Sequence, residues 1–124
     1  MLSVSESKGI KSDIIPRIST GFCGGLARTC GICGAVSGAI MAINLFYGRS
    51  LPNEPYDKSY IPVRKMINIF ENKFGSTNCK ALIGLDLGTE EGQKKFLSEN
   101  KVEQCRNFTE EATRIAMSII EGKV

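Results

Sequence analysis

The sequence predicts an all-α protein, a small single-domain helical bundle wrapped around a buried helix rich in glycine and alanine. Three observations carry this. Gly31 to Tyr47 runs 17 residues without a charge and is dominated by small and aliphatic side chains. Downstream, apolar residues recur at spacings of three and four, the signature of a helix with one buried face. No stretch shows the period-two alternation of a half-buried strand.

Residues 1–20 are polar, hold Pro16 and several serines, and present no clear core face, which predicts a flexible N-terminal arm before a cysteine-containing domain at 21–124. Gly21, Gly24 and Gly25 mark a turn-rich approach to the apolar helix. That helix is just short of the roughly 20 residues that span a bilayer. With Ser37 and Asn44 inside it, it reads as a buried helix without membrane insertion, and Gly34 and Gly38 give it a small face for close packing. Pro52 and Pro55 end it in a polar loop that closes near Tyr60. A second helix then places Val63, Met66, Ile67, Phe70 and Phe74 on one face until Gly75 and Ser76 interrupt it. Cys79, Leu82 and Ile83 fit a short helical turn. Thr89 is a candidate cap for a helix with Glu90 and Glu91 in its first turn, directing Phe96 and Leu97 to the core. The last helix sets Cys105, Phe108, Ala112, Ile115 and Ile119 on one side and Glu110, Glu111 and Arg114 on the other. Gly122 stands where a helix stop belongs.

Composition narrows the function. The chain has 124 residues, 42% hydrophobic and 23% charged, the balance of a folded domain. Sixteen basic and 13 acidic residues give a net charge of +3, and no basic run is longer than Lys94-Lys95. Neither a nucleic-acid stripe nor a polybasic membrane patch is present. No Gly-Lys-Ser/Thr ending or strand-borne Gly-x-Gly-x-x-Gly turn marks a phosphate site. Met1-Leu2-Ser3-Val4-Ser5-Glu6-Ser7 lacks the order of a secretory signal, which predicts a cytoplasmic protein with mainly reduced thiols.

Five cysteines and no histidine then become the chemical lead. Without imidazole there is no Cys–His or Ser–His pair and no mixed Cys/His metal site. Reactive chemistry falls to sulfur. Cys30 and Cys33, three apart, would share one face of a first helical turn, within reach of a disulfide. Cys30, nearer the helix start, would be the attacking thiol and Cys33 the resolving one. Ser37 and Asn44 continue a polar stripe from Cys33. It lines a pocket, or else Ser37 bonds back to a helix carbonyl and Asn44 meets a wet edge. Cys79 and Cys105 occupy apolar faces, where cysteine also serves as a small hydrophobe. Yet three helices each aim a cysteine inward, and converging thiols either exchange disulfides or hold a soft metal ion or an iron–sulfur cluster. Cys23, beside Gly24-Gly25, reads as a loop thiol of lesser weight.

The run from Gly21-Phe22-Cys23-Gly24-Gly25 through Cys33-Gly34-Ala35-Val36-Ser37-Gly38 resembles the C_GCAxxG_C_C family of redox-active proteins. Cys33 to Gly38 matches its central Cys-Gly-Ala-x-x-Gly run, and Asn78-Cys79-Lys80-Ala81-Leu82-Ile83-Gly84 and Cys105 look like its later single cysteines. The likeness spans roughly residues 20–121. It implies a small helical cytoplasmic protein, of a kind often encoded near transporters. That family carries its first cysteine on a helix well upstream, whereas no cysteine precedes Cys23 here. The resemblance thus implies that the upstream helix is missing or shortened, with Cys23 or Cys30 standing in, or a site with fewer thiols.

These readings predict a thiol–disulfide redox protein with Cys33 central, Cys30 or Cys79 as its exchange partner and Cys105 nearby. It would need no organic cofactor and would pass electrons to a partner protein through a mixed disulfide. The alternatives are a cysteine-ligated metal or iron–sulfur protein, and a structural module linked to a transporter or dimerising through its glycine-rich helix.

Overall fold

The computed structural model describes residues 1–124 and is all-α. Seven right-handed helices follow one another: α1 (Leu2–Ser7), α2 (Ile14–Ser19), α3 (Gly34–Tyr47), α4 (Asp57–Phe74), α5 (Cys79–Ile83), α6 (Glu90–Ser98) and α7 (Val102–Ile120). The long helices α3, α4 and α7 pack on one another and form the bundle. No helix is long and apolar enough to cross a membrane.

The core is the meeting of three apolar faces. Helix α3 contributes Val36, Ala39 and Ile43, α4 contributes Met66 and Phe70, and α7 contributes Phe108, Ala112, Ile115 and Ile119. Removing a side chain such as Phe70 or Ile43 from water contributes about 1.5–3 kcal/mol each. Phe70, Phe74 and Phe108 stack as a trio, with centroids 4.8, 4.9 and 6.2 Å apart. Such tilted and edge-on pairs add to burial.

Several local expectations change. The apolar helix begins at Gly34, because Cys33 is extended and Gly31–Ile32 pair across to the loop before α5. Helix α4 starts at Asp57 and absorbs Pro62 in its second turn. Thr89 caps α6 by accepting the Gly92 N–H at 2.9 Å, yet Leu97 points outward, 79% exposed, and only Phe96 reaches the core. Residues 1–20 form two short helices, and the first has a core face after all: Val4 and Ser5 are buried, and α1 packs on α3 and α7. A short helix without a cysteine therefore precedes Cys23 and packs on the bundle. Glu111 is not on a solvated side. It is buried between Arg114 and Lys73, which approaches to 3.1 Å, and this pairing offsets the cost of burying its charge.

Candidate functional site

The segment before α3 is built with the opposite hand. Gly24, Gly25, Leu26, Ala27 and Arg28 have φ of 65, 69, 61, 53 and 67°. That is a left-handed turn, in which each non-glycine L-residue costs about 1–2 kcal/mol. Leu26, Ala27 and Arg28 together thus cost about 3–6 kcal/mol on that scale. Hydrogen bonds close the turn: Thr29 N–H donates to Gly25 and Leu26 carbonyls, Thr29 Oγ1 donates to Leu26 O at 2.7 Å, and Gly31 N–H donates to Gly25 O at 2.8 Å. Backbone in such a rare conformation persists only where the surroundings over-determine it.

The surroundings here are cysteines. A Cβ on Gly25 would stand 2.5 Å from Cys79 Cβ and 3.1 Å from its Sγ, so only glycine lets the turn close over that thiol. A Cβ on Gly34 would meet Phe22 O at 3.1 Å and Cys23 Cα at 3.2 Å. The missing side chain brings the Cys23 backbone onto the start of α3. Two further hydrogen bonds stitch the site: Cys33 N–H donates to Thr77 O at 2.7 Å, and Cys79 N–H donates to Gly31 O at 2.9 Å. Backbone bonds therefore tie Cys33 and Cys79 to each other's loops.

The result is a cavity of about 410 Å³ lined by Cys23, Cys33, Cys79 and Cys105. Met1 and Val4 of the α1 segment and Phe96 of α6 complete its apolar wall. All five cysteines are free thiols. Cys23 is exposed, Cys33 and Cys105 are half-buried, and Cys79 is buried at 8% exposure. Burial, reinforced by Cys33, Cys105 and Cys30, pushes the Cys79 thiol up to about 11. Burial, then Cys33, also raises Cys105. These mutual effects mean that a negative charge on one sulfur disfavours a second. Cys33 occupies the N-cap of the 14-residue α3 without a side-chain cap bond. Cys33 thus stands immediately before the unpaired N–H groups of the helix's first turn.

Of the residues expected from sequence, Cys33, Cys79 and Cys105 come together, while Cys30 does not line the cavity. Cys30 lies before the helix with φ of 60°, so it shares no helical face with Cys33 and is not the thiol beside the helix start. Its Sγ donates to Asp86 Oδ1 at 3.1 Å, which raises its pKa, the direction opposite to that of an attacking thiol. Asp86, which no motif singles out, sits 56 residues away in a loop and carries no local signal. Cys23 lines the cavity as well, its backbone lying against Gly34 at the start of α3. The polar stripe does not reach the cavity: Asn44 Oδ1 accepts from Ser59 Oγ at 2.6 Å on an exposed edge. No group of three or more His, Cys, Asp or Glu side chains is close enough to hold a metal ion.

A profile of the family described as "Putative redox-active protein (C_GCAxxG_C_C)" matches residues 1–119. The chain belongs to the C_GCAxxG_C_C family. Within this C_GCAxxG_C_C protein the central run Cys33–Gly38 is the N-terminal end of α3, and Cys79 opens α5. The match begins at residue 1 and so takes in α1, which faces the cavity with Met1 and Val4 and no thiol. No curated protein and no solved structure matches the chain.

Proposed function

We propose that this protein carries out thiol–disulfide exchange, with Cys33 as the first sulfur to react and a second cysteine of the cavity as its partner. The observation that supports this is the single cavity lined by four free thiols from four parts of the chain. The Cys33 thiolate attacks a disulfide of a partner protein, forming a mixed disulfide and releasing one partner thiolate, which takes a proton from water. A second cysteine, Cys79 by its backbone tie to Cys33, then attacks the Cys33 sulfur; its thiol proton passes to the second partner sulfur, which leaves as a thiol, so that burial of Cys79 makes this the slower step. The partner gains two electrons and this protein keeps one disulfide. Exposed Cys23 borders both the cavity and a second groove with Arg28 and Leu97, and the partner is expected on this side. The chemistry needs no organic cofactor.

The test is protein purified anaerobically, with metal content measured and thiols counted across a series of defined redox buffers. The reading expects a reversible loss of two thiols per chain, at a potential within the range of about −320 to −180 mV spanned by cellular thiol pools. It also expects that loss to vanish in Cys33→Ser. Stoichiometric metal bound through the same cysteines would replace exchange by a metal-binding function. Five thiols that neither oxidise reversibly nor hold metal would make the cysteines core packing.

A further inference from the structure

The Cys30–Asp86 contact is the only hydrogen bond that a cysteine sulfur donates in the structure. Both partners are held in place by other bonds. The Asn78 side-chain amide donates to Cys30 O at 2.7 Å, and the left-handed backbone of Cys30 turns its thiol out of the cavity. On the other side, Gly88 N–H donates to Asp86 Oδ1 at 2.8 Å, while Thr89 N–H and Oγ1 donate to Asp86 O at 3.2 and 2.9 Å. A carboxylate fixed this way can only accept, so the proton of the contact must stay on sulfur.

From this geometry we propose that Asp86 is a positioning residue that holds Cys30 as a neutral thiol, keeping it in reserve while Cys33 reacts first. In a Cys-x-x-Cys pair the order of reaction decides which sulfur carries the mixed disulfide, and here the two sulfurs meet opposite surroundings. Cys33 stands at the positive end of α3, and Cys30 faces a negative charge. The charged groups bearing on Cys30 are Asp86 and Lys80, with Asp86 the larger influence, and Cys79 faces it from α5. Lys80 acts in the other direction and only partly offsets the carboxylate. The order of attack rests on the exchange reading, whereas the Asp86 effect on Cys30 does not.

The experiment compares wild type, Asp86→Asn and Asp86→Ala by alkylation with iodoacetamide between pH 6 and 10, each cysteine being followed by peptide mass spectrometry. Asp86→Asn keeps an Oδ1 acceptor for Gly88 and Cys30, removes the charge and puts an amide NH2 in place of the second oxygen. Cys30 labelling at pH 7 should rise about 2–5-fold in Asp86→Asn, the size expected for losing one partly exposed charge contact, with its midpoint moved to lower pH. Labelling of Cys23 should stay within about 2-fold, on the same scale, as a check that the fold is intact. A symmetric aromatic disulfide reagent, offered at one equivalent, should form its mixed disulfide on Cys33 in wild type and divide between Cys33 and Cys30 in Asp86→Asn. Unchanged Cys30 labelling across the pH range in Asp86→Asn overturns the proposal, whatever the fate of exchange. Faster Cys30 labelling with no reagent captured at Cys33 would keep the Asp86 effect and remove the assigned order.

Discussion

Replacing Gly25 with alanine tests whether the left-handed turn is locked onto Cys79. Two costs add. A residue with a Cβ at φ of 69° pays the left-handed penalty, about 1–2 kcal/mol. The new Cβ also lands 2.5 Å from Cys79 Cβ, an overlap with backbone-anchored atoms that cannot rotate away. Overpacking of that kind costs about 1–3 kcal/mol. Gly75 and Gly84 separate the two terms, because both have positive φ, of 88 and 72°, and open space within 4 Å of where a Cβ would stand. Gly75→Ala and Gly84→Ala should therefore lose only the first cost, and Gly25→Ala about 2–5 kcal/mol in all. In urea, with a slope of about 2 kcal/mol/M, the extra term lowers the midpoint a further 0.5–1.5 M, roughly. The same variant should speed alkylation of Cys79 as its cover lifts. Equal midpoints for Gly25→Ala and the two open-space controls would refute the argument that glycine is there for closeness.

Three other perturbations reach different parts of the structure. Glu111 is held down to about 2, first by its hydrogen bonds from Arg114. A depressed carboxyl contributes stability above pH ~4.5 that is lost as pH falls toward 2, and with both cations half-exposed the contribution is about 1–2 kcal/mol. Glu111→Gln should lose that amount at pH 7 and flatten the acid limb of a urea-midpoint profile between pH 5 and 2; an unaltered profile would deny the pairing its role. Cys79, pushed up to about 11, has only about one molecule in a thousand as thiolate at pH 8, so it should resist alkylation until pH approaches 11. Labelling of Cys79 as fast as exposed Cys23 at pH 8 would contradict its burial. Asn78→Ala removes both the α5 cap, whose side chain accepts Ala81 N–H at 3.0 Å, and the bond to Cys30 O. It should cost about 1–2 kcal/mol in urea titration, as should Thr89→Ala, whose hydroxyl likewise makes two bonds, the α6 cap and one to Asp86 O. A loss below about 0.5 kcal/mol for Asn78→Ala would mean that neither its cap nor its Cys30 tie holds the fold.

The bundle is legible in the sequence because its information is local and periodic. Met66 and Phe70, or Phe108, Ala112 and Ile115, announce their helices by spacing alone, and each set is buried. Cys33, Cys79 and Cys105 are legible in the same way, as inward positions on three elements. What escapes depends on backbone hand or on distant partners. Residues with a Cβ, such as Leu26 and Ala27, give no sign of positive φ, and Cys30 looks like a helical position until Ile32 pairs with Asn78. Glu111 sits on the boundary of its helix face, and only Lys73, from α4, shows why it turns inward. Likewise the Thr89 cap is readable, but the outward turn of Leu97 follows from which face α6 offers to the bundle.

The two rungs that join the Cys33 and Cys79 loops bear on how the chain must be made. Loop closure favours near neighbours, so in an unfolded chain Cys30 and Cys33 encounter each other far more often than Cys33 meets Cys79 or Cys105. Folding reverses that ranking: it turns Cys30 away and brings the distant sulfurs to Cys33. A chain oxidised before it folds would trap the short-range pair and lock the left-handed loop out of reach. If the cavity cysteines work by exchange as proposed, folding has to precede oxidation, because the order of those two events would select which sulfurs pair.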